Sequence, residues 1–151
     1  MRKGTGVWVV TIVLVVASGA FAQYGDYEYS SPSSAGISEQ LKTAQSHATF
    51  ASQSETIAGV RQHLAHVVNC LQGPRGASFI AREDNPCQGQ GNGIIPDLTA
   101  RGASVAKVLA TAREANTTAL DTLKLSALAQ AKAGATKLAT LLGTALKDLP
   151  K

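Results

Sequence analysis

Methionine occurs once in this chain, as the initiator, tryptophan once and cysteine twice, and aromatic residues make up only 5% of it. Each scarcity excludes something. With no internal methionine and no Cys-x-x-Cys-His, haem finds neither a thioether ligand nor a covalent attachment point. Charged residues are 16% of the chain and the acidic ones are dispersed, so no pair of carboxylates stands out for general acid and base work. There is no Gly-x-Ser-x-Gly elbow and no His-Glu-x-x-His, and no enzyme class follows. The basic residues lie scattered among alanines in the C-terminal half, without a basic tract interleaved with aromatics, which argues against nucleic acid. The longest apolar run, residues 7–17, is broken by Thr11 and is about half the roughly 20 residues that span a bilayer.

That short run lies between a basic start, Arg2 and Lys3, and the small-x-small sequence Ala20-Phe21-Ala22. The three parts together form a secretory signal removed after residue 22, which predicts an exported protein, periplasmic or secreted, with no stable membrane span after cleavage. Loss of Arg2 and Lys3 takes the fourteen basic residues to twelve, against ten acidic ones. The formal charge falls from +4 to +2, enough for a mild attraction to acidic surfaces and no more.

Export decides how the two cysteines are read. In an oxidising compartment Cys70 and Cys87 most simply form one disulfide, which would stabilise a marginal domain by about 3 kcal/mol in the chain-entropy model. Ligation of a metal by the thiolates is the lesser alternative, because oxidation competes for them.

Residues 23–36, rich in Ser, Gly and Tyr, have no helical or alternating period and read as a flexible lead-in. Beyond them the pattern is helical throughout, giving an all-α fold: a small bundle of about four helices in one domain, 37–149, with a Gly/Pro-rich loop tethered by the disulfide. Ile37, Leu41, Ala44, Ala48 and Ala51 make one apolar stripe, and Ile57, Val60, Leu64, Val67, Val68 and Leu71 make a second. On a single straight helix these stripes would face nearly opposite ways, so a hairpin of helices 37–52 and 54–71 is expected, with Ser52 and Glu55 as a capping box. A straight helix contacted on both sides is the alternative. Gly73-Pro74 ends the second helix and begins a loop over 72–96. Within it, Gly89-Gln-Gly-Asn-Gly93 superficially resembles a phosphate loop but lacks the preceding strand and the spacing, and reads as a tight turn.

Asp97 would cap a third helix, 97–117, and Thr118 or Asp121 a fourth, 119–148. The break is placed near Asn116 to Asp121 because one uninterrupted helix would have little to pack against. The rival is a hairpin docked on one long helix whose overhang pairs with another subunit. Partners are accordingly an unidentified protein or a second copy, through the Ala-rich helices.

The histidines carry the remaining chemistry. Gly59, His63, His66 and Cys70 repeat at steps of 4, 3 and 4, on one face of the second helix beside its apolar stripe. His47 lies on the flank of the first helix, and a turn near 52–54 would bring it level with His63 across the hairpin. Neutral imidazoles on adjacent helices are a common way for bundles to hold a transition metal such as copper or zinc. The plainer reading of His66, well round from the core stripe, is a solvated ring or one bonded to Asn69 or Asp84.

The run HLAHVVNCLQGPRG from His63, with NPCQGQGNGIIPDL from Asn85 and His47-Ala48 upstream, resembles a pattern in small exported bacterial proteins of unknown function. The resemblance covers roughly the middle third of the chain. It implies that the histidines and cysteines form one unit and carries no activity with it. The expected function is therefore that of an exported, non-catalytic structural or interaction domain, with a periplasmic metal or cofactor binder using His63 and His66, and His47 as a third ligand if the hairpin brings it in, as the alternative.

Overall fold

The computed structural model describes residues 33–151; the expected signal segment and the expected lead-in up to residue 32 lie outside the described residues. Four long helices form the body: α1 (Ser34–Gln53), α2 (Ile57–Gln72), α4 (Ala106–Leu123) and α5 (Leu128–Asp148). A short α3 (Ile94–Arg101) and a 3-10 turn (Gly102–Val105) lead into α4. The fold is all-α, with no strand among the described residues.

The bundle is up-down-up-down, as the interhelix contacts require. Arg61 Nη2 near the start of α2 donates to the Leu125 carbonyl just past the end of α4, while Gln72 Nε2 at the end of α2 donates to Asn116 Oδ1. These helices therefore run antiparallel. Ion pairs Lys107–Asp148 and Lys137–Glu114 set the same relation between α4 and α5. Gln45 on α1 reaches the Ala139 carbonyl of α5, which closes the ring of four.

Every residue of the first apolar stripe, Ile37, Leu41, Ala44, Ala48 and Ala51, is fully buried. So are Val60, Leu64, Val67, Val68 and Leu71 of the second and Ala131, Ala135, Leu138, Leu142 and Ala145 of α5. Alanines at these positions let helix backbones approach closely, and Gly134 on α5 carries this to its limit: a Cβ there would lie 2.7 Å from Cγ2 of Thr122 on α4.

The helix ends depart from the expected ones for identifiable reasons. α1 begins at Ser34, because the Ser33 hydroxyl accepts from the Gly36 amide and caps it within the expected lead-in. The cap of α2 is Thr56, whose hydroxyl accepts from Gly59 N; the Ser52 hydroxyl is still inside α1, donating to the Thr49 carbonyl. Asp97 is no cap: α3 starts three residues earlier, with Pro96 in its first turn, where a missing amide proton is harmless. A left-handed Gly102 (φ +71°) then interrupts the third helix. Beyond that interruption the buried face of α4 is made by Val108, Ala112, Ala115, Ala119 and Thr122.

The last break also moves, from 116–121 to 124–127. Thr118 and Asp121 do not cap α5, which begins after Ala127 without a side-chain cap. Instead Thr122 donates back to the Thr118 carbonyl, Asp121 pairs with Lys124, and Asn116 is engaged by Gln72 from the neighbouring helix. Asn116, Thr117, Thr118 and Asp121 are weak helix formers, so packing of the buried face through Ala115, Ala119 and Thr122, rather than propensity, carries α4 across this polar stretch.

Candidate metal centre

The loop between α2 and α3, residues 73–93, contains no helix or strand and is nevertheless tied down along its length. Cys70 and Cys87 form a disulfide with Cα atoms 5.2 Å apart. One residue before Cys70, the fully buried Asn69 directs its amide nitrogen at the carbonyls of Ile80, Glu83 and Asp84 (3.2, 3.2 and 3.0 Å), while its oxygen accepts from Ile80 N at 2.8 Å. A side-chain amide has two protons, so two of the three carbonyls share one.

At its far end the loop meets α1. Buried Gln40 donates to Asp97 Oδ2 at 2.8 Å and accepts from Gly93 N; Asp97 also takes the Asn92 backbone and side-chain amides. The two ends of the loop touch, since Gly73 (φ +65°) and Gly93 (φ +116°) approach so closely that a Cβ on Gly93 would lie 2.5 Å from Gly73 N. Glycine is required at both.

The three imidazoles converge beside this framework. The short turn after α1 folds α2 back so that His47 stands opposite His63 and His66. His47 Nδ1 lies 3.3 Å from His63 Nδ1 and 3.2 Å from His66 Nδ1. His66 is buried, 7% exposed, while His47 and His63 are half-buried. This corrects the plainer reading of His66: its ring is not solvated, the Asn69 side chain is committed to the loop, and Asp84 contributes its backbone carbonyl to Asn69. Phe50, one turn beyond His47, is 48% exposed and borders the cluster, with ring centroids 5.7 Å from His47 and 5.5 Å from His63. No sequence pattern singled Phe50 out; its position three residues after His47 on the same helix was the available signal.

Burial and neighbouring imidazoles disfavour the charged form of His47 and His63. His47 is pushed from the ordinary 6.5 down to about 4, first by burial and then by repulsion from His66 and His63. His63 is lowered too, by burial first and His66 second. Neutral imidazole is the form that binds a metal.

The geometry leaves the cluster poorly served by hydrogen bonds alone. An imidazole nitrogen has one in-plane function, a proton or a lone pair. His47 Nδ1 has two close nitrogen neighbours and can serve only one of them well. A metal ion would take a lone pair from each ring. At a zinc–nitrogen distance of 2.0–2.1 Å, two ligands of a tetrahedron stand about 3.3 Å apart, and the two His47 contacts match this. One ligand atom from each of the three rings lies within 4.8 Å of the others, so the longest edge has at most about 1.5 Å to close for such a tetrahedron.

The support around the rings is less complete. His66 Nε2 is buried and has no hydrogen-bond partner, whereas a ligating histidine ordinarily donates its second nitrogen to a carbonyl or carboxylate, at a gain of roughly 10–100-fold in affinity. Compared with family models, with curated proteins and with solved structures, the chain finds no match.

Proposed function

We propose that this is an exported, non-catalytic helical bundle that binds a transition metal ion such as zinc or copper through His47, His63 and His66. The observation that carries the reading is the pair of Nδ1 contacts on His47, 3.3 and 3.2 Å, which one aromatic nitrogen cannot satisfy as two hydrogen bonds and which have the span of a tetrahedral edge. Three imidazole donors from two helices of one hairpin give a borderline nitrogen set suited to these ions. The missing partner of His66 Nε2 makes this an exchangeable site of moderate affinity. The disulfide fits an oxidising compartment and so supports export.

The test is to isolate the exported protein with its disulfide intact, determine bound metals, and titrate the stripped protein with zinc and copper. One equivalent should bind, and a His63→Ala, His66→Ala double variant with an unchanged helical spectrum should lose it. Equal uptake by both proteins, or none by either, removes the reading. A second reading, a loop that serves as a contact surface for a protein partner, is favoured by the ordering of residues 73–93 through Asn69, Cys87 and Gln40. It predicts that partner capture survives the histidine substitutions.

A further inference from the structure

A metal held by three rings has coordination left over, and the surroundings indicate what fills it. Zinc and cobalt(II) bound by nitrogen ligands favour four-coordination. Among the described residues no aspartate, glutamate or free cysteine joins the three histidines. Three neutral donors leave the ion's charge of +2 uncompensated, and a bare cation at a half-buried site draws an anion.

Access is directional. His66 is buried, His47 and His63 are half-buried, and Phe50, the exposed large hydrophobic side chain among the described residues, stands against both of the latter. Solvent therefore meets the cluster at the exposed parts of His47 and His63, beside Phe50.

Resting on the metal reading above, we propose that the ion at His47, His63 and His66 takes its fourth ligand from solution as a small monovalent anion, bound beside Phe50. The protein then presents a metal–anion pair at its surface rather than a closed structural metal. No bond within the protein is made or broken: the anion donates one lone pair to the metal and replaces a water molecule.

The test loads the stripped, disulfide-intact chain with cobalt(II), whose visible absorption reports its ligands, and titrates it with sodium azide at constant ionic strength. The expected result is a saturable spectral change with one azide per cobalt, reversed on desalting, with cobalt retained. Phe50→Ala, an exposed substitution that removes no ligand, should bind the same cobalt and change the azide affinity severalfold. A cobalt spectrum that azide leaves unchanged, or azide that strips the cobalt from the protein, overturns the proposal while leaving the metal reading in place. Unchanged azide affinity in Phe50→Ala overturns the placement of the anion. Failure of cobalt, zinc and copper all to bind sinks the metal reading, and this proposal with it.

Discussion

The two halves of the bundle solve different problems with the same secondary structure. The α1–α2 hairpin and its loop bury glutamine, histidine, asparagine and the disulfide alongside large aliphatic side chains. The α4–α5 hairpin buries mainly alanine, with Val108, Leu138 and Leu142, and a single polar residue, Thr122, which bonds within its own helix. Buried polar groups must find partners of fixed geometry, so the first half is specified residue by residue. The second is specified by little more than small size along a stripe. Chemistry has collected where the packing is individual, and the alanine half acts as the surface against which it is held.

The sharpest way to break this contrast is Asn69→Ala. It leaves a buried backbone amide and several carbonyls of the loop without their partner, and should destabilise the protein by about 3 kcal/mol, a fall of roughly 10 °C in melting temperature. Reducing the disulfide removes a constraint of similar size, about 3 kcal/mol for a separation of this length. With wild-type Asn69, protection of loop amides from hydrogen exchange should outlast reduction; in reduced Asn69→Ala it should vanish. Equal protection in all four states would mean that Gln40 and Asp97 hold the loop by themselves.

An intermediate effect is expected from Gly134→Ala in the other half. The added methyl would meet Thr122 Oγ1 and Cγ2 across the α4–α5 seam, and overpacking of this kind costs about 1–3 kcal/mol, offset by about 1 kcal/mol of helix propensity. The net loss should be about 1 kcal/mol by chemical denaturation, with metal uptake unchanged. A neutral result would show that alanine seams yield more readily than the polar half.

The smallest effect is acid sensitivity of the metal-free protein. Because His47 falls from 6.5 to about 4 on folding, the folded chain binds fewer protons than the unfolded one between those values. Stability is complete above pH 6.5 and declines as the pH falls toward 4. For a half-exposed ring, after solvent screening, the loss is on the order of 1 kcal/mol. Melting temperatures measured across that range should slope in the wild type and slope less steeply in His47→Gln, where the lowered His63 remains; a matching slope in both would assign the effect to other groups.

Much of this was legible in the residues. The stripes of α1, α2 and α5 are periodic and apolar, so burial follows from phase, and the steps of 4, 3 and 4 through Gly59, His63, His66 and Cys70 place them on one helical face. What the sequence hid depends on contacts distant along the chain. The end of α4 is met by Arg61 on the Leu125 carbonyl, 64 residues away. Asp97 looks like a cap because aspartate commonly is one, and only the arrival of Gln40 from α1, 57 residues away, turns it into a buried acceptor. Asn69 gave no periodic signal at all, since its partners are backbone groups of an irregular loop.

The bridge between Cys70 and Cys87 also has a topological consequence. It closes residues 70–87 into a covalent ring, and that ring carries the exposed arginines Arg75 and Arg82, the residue type that trypsin-like proteases cut after. A single cut there opens the ring without dividing the molecule. The piece bearing all three histidines stays joined through sulfur to the piece bearing α4 and α5, so a nicked chain keeps both halves of the bundle in one covalent unit.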